Sequence, residues 1–358
     1  MPGDDEPGSQ IPGDGMPADQ VSGEGMSGDV ESSAPANPES AASAAAAESA
    51  AIDPRLAEER EEVLHAQQEH PAPTSPAARA LADVPAQPGA RKPDPILVAQ
   101  NVSRRFGGLT AVNVDYLEVQ RGTITALIGP NGAGKSTFFN LVSGFDKPSS
   151  GSWKFNGRDI SGQSAYRISR LGMVRTFQLT KALTRMTALQ NMMLGATGQT
   201  GEHFLPALFR PAWKRQDQQI EARADALLER FNLAHMRDQF AGTMSGGQRK
   251  LLEMARAMMV EPELIMLDEP MAGVNPALTQ SLLGHIQALR DEGTTIVLVE
   301  HDMDVIMSIS DWIVCFAEGA VIAEGRPDDI RSNRAVVDAY LGARRALPTA
   351  ASDGGQAQ

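Results

Sequence analysis

Cysteine and aromatic residues are scarce in this chain, which has one cysteine, three tryptophans, three tyrosines and eleven phenylalanines among 358 residues. A single cysteine excludes an intramolecular disulfide. Cys315 lies in the apolar run from Trp312 to Phe316, where a small buried hydrophobe is expected rather than a reactive thiol. No stretch from Pro95 onward approaches the roughly 20 apolar residues needed to cross a bilayer. Any work at a membrane would therefore be peripheral and need a partner. Internal repeats are also absent.

Positive charge is lacking in one region above all. Residues 1–94 hold 18 acidic and 5 basic residues, so the net charge of −13 sits entirely there and the remainder is balanced. That first quarter has no Phe, Tyr or Trp and is rich in Pro, Gly and Ala. Too little apolar surface is available to offset its ordering entropy, so 1–94 reads as a disordered acidic tail. It lacks the basic and apolar regions of a secretory signal, and its charge makes it a poor anchor for anionic lipid. The balanced remainder has no whole-domain basic signature, and no nucleic-acid partner is expected. A second low-complexity tail is expected over 344–358.

Between these tails, 95–343 reads as a folded α/β domain. The runs ILVAQNVS and VDYLEV are strand-like and precede the apolar run TITALIG. A helix from Lys135 to Ser143 follows, then a hairpin, GSWKFNGRDI, turning at Asn156-Gly157. Apolar residues recur at helical spacing over Asp217–Phe231, Gly247–Met259 and Ala277–Arg290. Further strands are expected at ELIMLD, TTIVLVE and DWIVCFAE.

Gly129-Pro130-Asn131-Gly132-Ala133-Gly134-Lys135-Ser136-Thr137 fits G-x-x-x-x-G-K-[ST], between a strand and a helix as that phosphate-binding loop requires. Glycines let successive N–H groups turn inward on phosphates, and the helix N-terminus adds attraction. Lys135 is expected at the β- and γ-phosphates and Ser136 on Mg²⁺. The strand Leu264–Asp268 ends in an acid, and Glu269 follows. Adjacent carboxylates at the end of a buried strand are costly unless a cation or a water network uses them. Asp268 suits a water-mediated Mg²⁺ partner, and Glu269 a base that orients and deprotonates an attacking water.

Met244-Ser245-Gly246-Gly247-Gln248 opens an apolar-periodic helix and resembles the ABC signature, with Met244 in place of the usual leucine. The chain is thereby identified as resembling the ABC ATPases. The resemblance extends residue by residue over 95–343. Phe106, in RRFGG, resembles the aromatic that stacks on adenine. Gln178, in VRTFQ, resembles the glutamine that senses Mg²⁺ and water and links to the membrane partner. His301 resembles the switch histidine at the γ-phosphate. Ala272-Gly273-Val274-Asn275 stands at the D-loop, where Asp is commoner than Asn275.

The resemblance implies a P-loop NTPase core with a mainly parallel sheet, an antiparallel β subdomain, and a helical subdomain over about 179–256. It implies ATP with Mg²⁺, and a head-to-tail pair of ATPases in which Ser245, Gly246, Gly247 and Gln248 act on nucleotide held by the other subunit. GGLTAV, GMVRTFQ, SGGQRKLLEMARAMM, EPMAGVNP, EHDMDVIMSISD and GRPDDIRSNRAVVDAYLG resemble the ATPases of bacterial branched-chain amino acid uptake systems. Such systems imply a second ATPase, two transmembrane permeases and, indirectly, a substrate-binding protein, with this chain on the cytoplasmic face. Two alternatives share the catalytic motifs. One is an exporter ATPase for lipid or polysaccharide. The other is a non-transport ABC ATPase, which usually carries two cassettes, long coiled coils or zinc insertions.

Overall fold

The computed structural model describes residues 75–176, 183–197 and 210–345. The chain enters this region through a short helix, α1 (Pro76–Arg79), capped by Ser75. Two long strands, β1 (Pro95–Phe106) and β2 (Leu109–Gln120), pair antiparallel. With β4 (Ser150–Phe155) and β5 (Arg158–Asp159) they make a four-stranded antiparallel sheet in the order β2-β1-β4-β5. The expected antiparallel subdomain is therefore present. Its β4–β5 turn contains Asn156 and Gly157, both with positive φ, as an Asn-Gly hairpin turn requires.

The second sheet runs β10-β9-β3-β8-β7-β6. It comprises β3 (Ile124–Ile128), β6 (Met173–Arg175), β7 (Leu264–Asp268), β8 (Thr295–Val299), β9 (Trp312–Ala317) and β10 (Ala320–Gly325). All its pairings are parallel except the β9–β10 hairpin. Both faces are covered, which is why the strands read as unbroken apolar runs. Ile124, Ala126, Ile265, Leu267, Ile296, Leu298 and Ile313 join one core, while Leu127, Leu264, Met266, Val297, Val299, Trp312 and Val314 join the other. The period of two thus divides each strand between two layers.

Helix α2 (Lys135–Val142) packs Phe138, Phe139, Leu141 and Val142 into the core shared with the antiparallel sheet. After α3 (Ala165–Arg170), the opposite core takes α4 (Ala188–Met193), α5 (Arg210–Arg230), α6 (Gly246–Met258) and α7 (Pro276–Asp291). Helices α4, α5 and α6 pack on one another, within the span expected to be helical. The chain closes with α8 (Met303–Ile309), α9 (Pro327–Arg331) and α10 (Arg334–Arg345). That last helix carries backbone order past the expected boundary at 344, and 346–358 lie outside the described residues.

The expected tail boundary at residue 94 is corrected. Within 75–94, Leu81 and Ala90 are buried, and Lys92 pairs with Glu324 at 2.8 Å, both side chains only 1% exposed. Glu324 also accepts the Ala90 N–H and the Trp312 indole N–H, each at 2.8 Å. A hydropathy reading assigns such a lysine to solvent, whereas here an ion pair with satisfied hydrogen bonds makes it an anchor. Residues 1–74 lie outside the described residues.

Candidate active site

Strand β3 lies between β8 and β9, and the loop after its C-terminal end leads into α2, at the strand ends where open α/β sheets bind ligands. Residues Asn131, Gly132, Ala133, Gly134, Lys135, Ser136 and Thr137 line a cleft there of about 620 Å³. Leu109, Thr110 and Ala111 from β2 form its opposite wall, and Glu269 and Glu318 complete it. Gly134 caps α2 at φ +98°, with no side-chain hydrogen bond to the first turn. A Cβ at Gly134 would run into the Ala111 carbonyl, so only glycine lets β2 approach this closely. The α2 N-terminus thereby faces a ligand-sized cleft with its amide donors available.

Lys135 Nζ donates to the carbonyls of Gly129 (2.6 Å) and Pro130 (3.0 Å), and burial lowers its pKa below the usual lysine range. The Gly129 N–H donates to Tyr340 Oη of α10 at 2.9 Å. Cys315 is fully buried, and desolvation pushes its pKa up to about 11, the condition of an inert thiol. That agrees with its reading as a small core residue.

Asp268 ends β7 and does not stand free. Arg175 of β6 donates to its Oδ2 at 2.7 Å, and also to Asn140 of α2 (2.7 Å) and to Ser143 Oγ (3.2 Å). Both charged side chains are at most 10% exposed. Arg175 therefore ties the acid at the strand end to the helix that follows the phosphate loop. Sequence reasoning missed it, although its place three residues before Gln178 in VRTFQ was the available signal. Gln178 itself lies outside the described residues.

Glu269 is held at φ +47°, a region that a non-glycine side chain seldom occupies, and its N–H donates to Val299 at 2.9 Å. Lys250 of α6 donates to the carbonyls of Glu269, Pro270 and Ala272 (3.2, 2.9 and 2.5 Å). The buried Glu300 accepts the N–H groups of Met271 (2.8 Å) and His301 (3.2 Å). His301 has a side chain 72% exposed and lines a neighbouring groove with Gly273, Gln280 and Asp302, not the phosphate-loop cleft.

Phe106 stands 48% exposed at the end of β1, with the Arg104 guanidinium 4.4 Å from its ring centre. Ser245 and Gln248 are apart from the cleft and form a reciprocal capping box at the start of α6. Gly246 has open space around it, but a Cβ at Gly247 would strike Leu278 of α7. Gly247 thus leaves room for the Leu278 side chain, whose Cδ1 would have to shift to admit a Cβ. Met244 fills a core position, 3% exposed, as leucine would. Asn275 caps α7 by accepting from Leu278 N–H at 2.9 Å, a task that Asp would perform equally.

Residues 112–272 match the family model described as ABC transporter, and 320–346 match the model described as branched-chain amino acid ATP-binding cassette transporter. A probable branched-chain amino acid transport ATP-binding protein of Archaeoglobus fulgidus is 44% identical over 249 residues, covering 70% of this chain and 96% of that one. The chain belongs to the ABC transporter ATP-binding family. A high-affinity branched-chain amino acid transport ATP-binding protein of Pseudomonas aeruginosa is 43% identical over 250 residues, 69% of this chain and 98% of that one. Among solved structures, a nucleotide-free ATP-binding cassette of an ABC transporter superposes with a TM-score of 0.61 at 36% identity, covering 69% of this chain and 98% of the other. As an ABC ATPase, the chain binds and hydrolyses ATP as a component of a membrane transporter. Among the described residues no helix is long and apolar enough to cross a membrane.

Proposed function

We propose that the chain is one ATPase of an importer for branched-chain or other hydrophobic amino acids. It works at the cytoplasmic face with a second ATPase, two permeases and, indirectly, a substrate-binding protein. The substrate class rests on the 320–346 match together with the names borne by relatives of 40–44% identity. An exporter ATPase is not favoured by either.

In this reading the phosphates lie against the amides of 131–137, with Lys135 at their β and γ positions and Phe106 beside the adenine. What supports it is that Glu269 lines the same cleft as Lys135 and Ser136. Ser136, exposed in that cleft, and Asp268, next in the chain to the cleft residue Glu269, offer the hard oxygen donors that suit Mg²⁺. Among the described residues no three acidic, His or Cys side chains converge, and Mg²⁺ at a nucleotide needs only one or two carboxylates with phosphate and water. When bound, Mg²⁺ would neutralise charge on the phosphate oxygens. Asp268, with one oxygen on Arg175, would hold the ion through water. Glu269 orients the attacking water and takes its proton. Gln178 and His301 assist, the histidine reaching the γ-phosphate as the domains close.

Two domains pack head to tail, each presenting Ser245 to Gln248 to its partner's nucleotide. Tighter ATP binding by the closed pair is what moves the permeases. The test is reconstitution in vesicles with the permeases and binding protein. Binding protein loaded with leucine, isoleucine or valine should stimulate ATP hydrolysis several-fold. No stimulation by any hydrophobic amino acid would refute the substrate class.

A further inference from the structure

The turn that follows β7 is gripped by two opposite charges from two other elements. The Lys250 ammonium has three N–H donors, and three carbonyls of this turn, those of Glu269, Pro270 and Ala272, receive them. Glu300, 2% exposed, accepts the Met271 N–H of the same turn with one oxygen and the His301 N–H with the other. Burial lowers the Lys250 pKa and raises that of Glu300, while their mutual attraction and that of Glu253 and Glu269 for Lys250 favour its charged form. Desolvating two charges beside one short turn costs stability unless each is fully hydrogen-bonded. A left-handed backbone at a non-glycine residue persists only where the surroundings over-determine it, and Glu269, at φ +47°, opens this turn and is one of the three residues whose carbonyls Lys250 holds.

We propose that Lys250 and Glu300 are positioning residues that hold Glu269 in the backbone attitude its carboxylate needs to address the attacking water. The inference rests on the reading of Glu269 as the base. Lys250 belongs to the helix opened by Ser245, and Glu300 directly precedes His301. One turn therefore carries the base while being held by the signature helix and by the strand end that bears the switch histidine.

The experiment uses the full chain assembled with its ATPase and permease partners, and measures kcat, KM for ATP and the melting temperature. Lys250→Met should lower kcat on the order of 10- to 100-fold, the scale of a misplaced reacting group, with KM changed less than about twofold and ATP still bound. Lys250→Arg, which keeps the charge and the donors, should recover most of the rate. Glu300→Gln keeps one acceptor and the shape, and should lose less than Lys250→Met. In single turnovers, adding Lys250→Met to Glu269→Gln should cause no further loss, because residues acting through one another are not additive.

Parental kcat in Lys250→Met, or a lowered melting temperature with unchanged kcat, overturns the proposal. So does a double variant in which the two losses multiply. If Lys250→Met does not fold, Glu300→Gln decides on the same readouts. Parental turnover in Glu269→Gln alone would instead sink the reading of the base, so the two failures are distinguishable.

Discussion

Replacing Lys92 by methionine removes the cation from a pair whose side chains are each 1% exposed and 2.8 Å apart. Lys92 Nζ also donates to the Ala90 carbonyl at 2.8 Å and lies 4.3 Å from the Trp312 ring centre. Breaking a buried pair by deleting one partner costs about 3–5 kcal/mol, because the other charge stays behind. Here Glu324 keeps two N–H donors, from Ala90 and Trp312, which points to the lower half of that range. A domain of roughly 150–250 residues shifts by about 2–4 °C per kcal/mol, so Lys92→Met should melt about 6–16 °C lower by circular dichroism. Adding Glu324→Gln removes the stranded charge and should restore part of the loss. Deleting 1–74 leaves these anchors in place, whereas deleting 1–94 also removes Leu81 and Ala90 and should cost at least as much as Lys92→Met. A Lys92→Met chain melting within about 2 °C of the parent, or equal melting of the two truncations, would refute the anchoring of 75–94.

Two further outcomes follow from the site and the core. Arg175→Met strands Asp268 and cuts the link to Asn140 and Ser143, so it should lose about 3–5 kcal/mol of stability together with ATP turnover. Arg175→Lys should recover only part of either, since an ammonium cannot reproduce the guanidinium fork, and full recovery would show that the fork is irrelevant. Burial, and then Arg230, lower the pKa of His285, whose ring lies 4.7 Å from that of Phe231. The folded state therefore binds fewer protons than the unfolded one, and stability should rise with pH from the lowered folded value up to about 6.5. His285→Gln should flatten urea-unfolding midpoints across that interval, and an unchanged slope would contradict the assignment.

The phosphate loop, Asp268-Glu269 and the signature were legible because their chemistry demands fixed residue types at fixed spacing. The main strands were legible because both faces of the sheet are covered, which leaves the apolar runs unbroken. Short elements carried too little pattern. β6 has three residues, and β10, AVIAEG, is a hairpin partner whose small residues and acid conceal its period. The Lys92–Glu324 anchor was hidden because its partners are 232 residues apart and because a lone lysine reads as solvated. Arg175, Lys250 and Glu300 stood inside or beside motifs already singled out, yet only the fold reveals whose carbonyls, amides and carboxylates they hold. In the same way Gly247 looked like a phosphate-approach residue, while the Leu278 side chain that lies against it is a contact that no spacing contains.

The most direct test of the account is Mg²⁺-dependent ATP turnover of Glu269→Gln beside the parent, with nucleotide binding measured on the same samples. Loss of a general base typically costs about 10²- to 10⁴-fold in rate, so turnover should nearly vanish while ATP still binds and draws the domains together. Turnover at the parental rate would contradict the assignment of Glu269, and with it the mechanism built on this cleft.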